Sequence, residues 1–131
     1  MGLYLYPKES EDGVAMSIGY GRFAALRREI VKAAYGELMY SIYDVKVNAP
    51  WPGFTPAELL YWEQNCNIDL EPFIWHSDCD GEMTSEECEK TYNAIKDLTL
   101  NTEDEGLHLR LNELKQLLKY CADNNETLVF G

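Results

Sequence analysis

Between His76 and Glu87 the chain reads HSDCDGEMTSEE, and its carboxylates fall at the spacing of a twelve-residue helix-loop-helix calcium loop. Asp78 and Asp80 take the third and fifth ligand places, Gly81 the turn, and Glu87 the closing carboxylate. The Glu82 carbonyl falls at the seventh place and Thr84 at the ninth, where a ligand often acts through water. Together these groups offer hard oxygens to a divalent cation of calcium type. The first place, however, holds His76 in place of an aspartate, and a neutral imidazole is a poor ligand for so hard an ion. Pro72, just upstream, works against a full incoming helix, and no second copy of the loop follows.

Three other chemistries compete for the same residues. In a purely structural reading, Asp78 and Asp80 cap backbone N–H groups in successive turns, Gly81 supplies a left-handed residue, and Thr84 with Glu87 forms a helix-capping box. A softer metal such as zinc would draw on His76, Cys79, Cys88 and Cys66, although cysteines beside Tyr92 and Ile95 suit buried thiols better. An enzyme would use His76, Asp78 and Cys79 as base, acid and thiol; convergence of the three in a concave pocket favours it, and dispersal favours a binding module. No serine elbow, phosphate-binding glycine loop or HExxH motif accompanies them. His108, between Leu107 and Leu109, reads as a half-buried or surface helix residue.

Charge narrows the partners. The net charge is −12, with six basic and six acidic side chains in residues 1–50 and five against seventeen in 51–131. Such a surface repels nucleic acid and anionic lipid, and it suits cations or a basic protein. The expected function is therefore a non-enzymatic binding domain with a basic protein partner. Its candidate surface is Trp75, His76, Asp78 and Asp80, beside aromatic residues (Trp51, Phe54, Trp62, Phe73) that serve as anchors or as core. No segment approaches the roughly eighteen apolar residues of a membrane span. The opening MGLYLYPKESEDG lacks a basic region followed by an apolar run, so a cytoplasmic location is expected.

The elements that must position these groups follow from periodicity. A chain of 131 residues, 46% apolar, is expected to form one domain over 1–131. Leu3 and Leu5 alternate with tyrosines as in a half-buried strand, Ser17 to Gly21 reads as a turn, and Phe23, Leu26, Ile30 and Ala34 predict a helix over about Arg22 to Tyr40. Ser41 to Val47 alternates as a second strand would. Thr55 with Glu58, Thr84 with Glu87, and Thr102 with Glu105 mark three further helices by capping boxes. The first should bury Leu59, Leu60 and Trp62 or Tyr61, the second Cys88, Tyr92 and Ile95, the third Leu107, Leu111, Leu114, Leu118 and Cys121. Thr127 to Phe130 reads as a last strand beside the first. The expected class is thus a mainly helical α+β domain of about four helices, with a small sheet joining the two termini.

The segments SIGYGRFAALR and HSDCDGEMTSEEC, in that order, resemble a family of small bacterial proteins. These carry an S-Y-G-x-F-x-x-F-R-like segment followed by an HSDCDGELTxEEC-like one. The similarity spans Met16 to Cys88; Ile18 and Gly19 precede Tyr20, and Leu26 stands where a second aromatic is frequent. It implies a single bacterial domain, lends no catalytic residues, and makes a histidine at the head of the loop an ordinary state.

Overall fold

Leu3, Leu5 and Pro7 turn inward while Gly2 and Tyr4 face out, the alternation of a half-buried strand. In the computed structural model, which describes residues 2–9, 14–48 and 53–131, this strand is β1 (Gly2–Pro7). It pairs antiparallel with β4 (Leu128–Phe130) through Leu5 opposite Phe130 and Pro7 opposite Leu128, so the two termini share a sheet as expected. On its other side β1 pairs with β2 (Met16–Gly19), and β4 pairs with β3 (Glu82–Met83), giving the order β2-β1-β4-β3. β2 replaces the turn expected at Ser17 to Gly21: Met16 and Ile18 are buried and Ser17 and Gly19 exposed, a period of two that the glycines obscure. The Ser10 to Gly13 connection and Trp51 lie outside the described residues.

Six helices accompany the sheet among the described residues, against about four expected. The long first helix divides into α1 (Tyr20–Tyr35) and α2 (Glu37–Asn48) at Gly36, whose φ of 95° ends α1 in a conformation that suits glycine. No strand forms at Ser41 to Val47. Met39 and Tyr43, four residues apart, are buried on one face of α2, so helical packing prevails over local alternation. α3 (Pro56–Asn65) starts at the expected Thr55–Glu58 box, yet it buries only Trp62, leaving Leu59 and Leu60 43% and 58% exposed. α4 (Glu71–Ile74) is one turn. α5 (Ser85–Ile95) carries the Thr84–Glu87 box and buries Cys88, Thr91 and Ile95, with Tyr92 half-buried.

α6 (Glu105–Asp123) buries the leucine stripe with Cys121, but its cap is Asp104 and not Thr102. Asp104 accepts from the Leu107 N–H, while the Thr102 hydroxyl accepts from Asp104 N–H at 3.2 Å. The core gathers Leu3, Leu5, Ile18 and Phe130 of the sheet with Phe23 and Leu26 of α1 and Leu114 and Leu118 of α6. Phe23 lies at its centre, meeting Phe73 and Phe130 edge-on at 5.8 and 6.4 Å. No helix of the described residues is long and apolar enough to cross a membrane.

Candidate functional site

α4 stops after Ile74 and the chain turns sharply, leaving the carbonyls of Phe73, Ile74 and His76 aimed at one point. Arg27 fills it. One turn along α1 from Phe23, it is only 6% exposed, and its Nη1 donates to those three carbonyls at 3.4, 3.3 and 2.5 Å. The guanidinium sits 4.4 Å over the Phe23 ring, and Tyr43 adds a hydrogen bond from its hydroxyl to the Ile74 carbonyl at 2.6 Å. Arg27 Nε has no partner among the described residues. Burial pushes the Arg27 guanidinium below its usual value, opposed by Tyr43 and by the nearby Asp78 carboxylate. Burial likewise pushes the Tyr43 phenol up, which keeps its donor proton in place.

Above this floor the loop closes around His76. The imidazole stacks on Phe130, centroids 3.8 Å apart and planes 21° from parallel. Its Nδ1 lies 2.9 Å from the Ser77 carbonyl and its Nε2 3.1 Å from the Glu82 carbonyl. Both neighbours only accept, so whichever ring nitrogen carries a proton donates to the carbonyl it faces. Gly81 packs against the ring at φ 101°; a Cβ there would sit 3.0 Å from His76 Cε1. The Gly81 carbonyl accepts from Phe130 N–H at 2.9 Å, binding the loop to the C-terminal strand.

The residues singled out by spacing have separate fates. Glu82 spends its carbonyl on His76, and its carboxylate pairs with Lys8 at 3.0 Å. Thr84 and Glu87 satisfy each other at the head of α5: Thr84 N–H donates to Glu87 at 2.9 Å and Glu87 N–H to Thr84 at 3.1 Å. Asp78 and Asp80 do not cap backbone amides as expected; neither carboxylate hydrogen-bonds another described residue. The imidazole and the guanidinium shape the turn in their place. Among the described residues no three histidine, cysteine or acidic side chains are arranged to hold a metal ion.

Two of the four thiols, Cys88 and Cys121, lie together and share a hydrogen bond inside the core, and Cys66 and Cys79 stand apart from them. Cys79 is exposed, with Sγ 3.5 Å from the Ser77 hydroxyl; Cys88 and Cys121 are buried; and Cys66 is half-buried, its thiol pushed up to about 11 by burial. A cleft of about 270 Å³ is lined by Lys8, Glu9, Asn124, Asn125, Glu126 and Thr127, and His76, Asp78 and Cys79 take no part in it.

Trp75 borders the loop. Its ring is 4.8 Å from Tyr43, 5.3 Å from Trp62 and 6.2 Å from Phe54, and it keeps 37% of its surface exposed. Trp62 and Phe73 are core, Phe54 is half-buried, and Trp75 alone of these four reaches well into solvent. Sequence reasoning missed Arg27, Tyr43 and Phe130 as parts of the site. Arg27 did carry a signal: it stands between Phe23 and Ile30 at the spacing of the apolar stripe. No family model matches the chain, and neither does any curated protein or solved structure.

Proposed function

We propose that the chain is a non-enzymatic binding protein whose His76 to Glu87 loop, with Trp75 at its edge, docks a basic protein surface. One observation carries this reading: Arg27, Tyr43 and Phe130 hold the loop from beneath, while the Asp78 and Asp80 carboxylates hydrogen-bond no other described residue, Asp78 feeling Arg27 only through its charge. A loop already fixed in shape loses little conformational entropy on binding. Its carboxylates keep their hydration until a partner supplies lysine or arginine, and Trp75 offers an aromatic anchor beside them. The seventeen acidic against five basic side chains in residues 51–131 extend the attraction beyond the contact and disfavour nucleic acid and anionic lipid.

The same bonds weigh against the alternatives. A calcium-type ion would have to take the Glu82 carbonyl from His76 and the Glu87 carboxylate from Thr84. Catalysis by His76, Asp78 and Cys79 would need ring nitrogens that already face carbonyls. The resemblance to small bacterial proteins with an HSDCDGELTxEEC-like segment agrees with a histidine that belongs to the loop, and it makes a bacterial cytoplasm the natural setting.

The test is capture from an extract of the source cells at low and high salt, by the wild type and by a D78N/D80N variant. A basic protein held by the wild type at low salt, and released by salt or by the double substitution, is the expected result. Capture indifferent to both overturns the reading.

A further inference from the structure

We propose that the outer edge of β2 is a self-association surface, through which two copies of the chain join β2 to β2 in antiparallel register as one continuous sheet. The direction of the backbone groups follows from two bonds. The Tyr4 carbonyl accepts from Gly131 N–H and Lys8 N–H donates to the Thr127 carbonyl, so the even residues of β1 face β4. In an antiparallel strand the N–H and C=O of one residue share a side. Leu3 and Leu5 therefore face β2 and pair with Ile18 and Met16, and Ser17 and Gly19 turn their backbone groups away from the sheet. Gly19 is the N-cap of α1, so its carbonyl serves the helix. The Ser17 N–H, the Ser17 carbonyl and the Gly19 N–H are left at the edge, bonded to no other described residue.

Sheet edges are ordinarily guarded by charge, proline, a bulge or shortness. The opposite edge is guarded: β3 has two residues, runs into the Thr84 cap, and carries Glu82 paired with Lys8. The sequence MSIG of β2 has no charge and no proline, and Ala15, Ser17 and Gly19 line its outer side with small groups.

A second copy fits this edge better than another partner. A two-fold axis through Ser17 sets its N–H and C=O against those of Ser17 in the second copy, brings each Gly19 N–H to an Ala15 carbonyl, and places Met16 opposite Ile18. Met16 and Ile18 are each 2% exposed, so the seam continues the core on one face. Charge points the same way. β2 lies in the neutral portion, where six basic and six acidic side chains balance, and no carboxylate stands on β2 to recruit a basic protein. At about 4.8 Å per strand, joining the β2 edges leaves the two β3 edges, with their acidic loops, roughly 33 Å apart. That is well beyond the roughly 8 Å over which charges act in physiological salt.

Sedimentation equilibrium of the whole chain over a dilution series tests this, with Ser17→Pro and Ser17→Lys alongside. Proline removes the outward N–H and leaves the β1 bonds of Met16 and Ile18 untouched; lysine adds a guarding charge. The wild type is expected at twice the chain mass, dissociating on dilution, with each folded variant weakened about tenfold or more. A wild type of single-chain mass at every concentration overturns the proposal. So does a variant with native circular dichroism that dimerises as well as the wild type. If Ser17→Pro does not fold, Ser17→Lys decides by the same criterion.

Discussion

The His76 ring lies flat on Phe130 at 3.8 Å, joining the head of the acidic loop to the last strand of the sheet. Through this contact the loop's shape depends on the far end of the chain, and the imidazole takes up the Glu82 carbonyl that a calcium loop would offer to its ion. Phe130 is 1% exposed and also meets Phe23, which in turn carries Arg27. Core, cation and loop are thus one packed unit.

If the stack helps fix the loop, His76 and Phe130 are energetically coupled. Phe130→Leu keeps most of the burial but loses the ring, and His76→Ala removes the stack and the bond to the Glu82 carbonyl. Each should cost roughly 1–2 kcal/mol in urea denaturation, with a coupling of about 1 kcal/mol in the double variant. Strict additivity would show that the two rings merely lie side by side.

Arg27 should matter more to stability than either ring. Arg27→Met keeps the stem's volume but leaves the Phe73, Ile74 and His76 carbonyls without their shared donor. A loss of roughly 3 kcal/mol is expected, read from the urea midpoint. Arg27→Lys should recover little of it, because one ammonium lacks the planar fork that packs over Phe23. A near-wild-type midpoint for Arg27→Met would show that Arg27 does not hold the loop.

The frame of the fold was legible where local chemistry and global packing agree. Leu3 and Leu5 alternate and the structure pairs their strand with Phe130; the Thr55 and Thr84 boxes start α3 and α5 at the expected residues. Where they disagree, the local pattern misled. Ser41 to Val47 alternates yet is helical, because Met39 and Tyr43 together bury a face of α2; Thr102 resembles a cap, yet Asp104 takes that role with Arg22 holding its carboxylate. The loop's carboxylates could be read from their spacing. Of its supports, Arg27 showed only its place on the apolar stripe; that it and Phe130 meet His76 follows from the tertiary fold alone.

Arg22 and Asp104 set part of the acid sensitivity. Arg22 donates to both Asp104 oxygens, at 2.6 and 2.9 Å, and these bonds hold the carboxyl down from 3.8 to about 2. A carboxyl depressed on folding contributes stability above its ordinary value and loses it as pH falls through the folded one. The pair's contribution should therefore fade between about pH 4 and pH 2. Asp104→Asn keeps the cap but not the pair, so its stability should vary less than the wild type's over that window. Parallel acid limbs for the two proteins would contradict this.

Calcium, magnesium and manganese should leave the protein unchanged. A site filled a hundredfold above its dissociation constant would add about 2.7 kcal/mol, a plain rise in melting temperature. With the Glu82 carbonyl and Glu87 carboxylate already bonded, we expect no titration heat and no melting shift at millimolar ion. A saturable heat abolished by D78N/D80N would restore the cation reading.

The most direct test is titration calorimetry of the captured basic partner against the wild type, D78N/D80N and Trp75→Ala across a salt series. Docking through the loop predicts at least about tenfold weaker binding for the double variant and a shallower salt dependence, with Trp75→Ala weakening binding at every salt concentration. Equal affinities and equal salt slopes for all three proteins would contradict it.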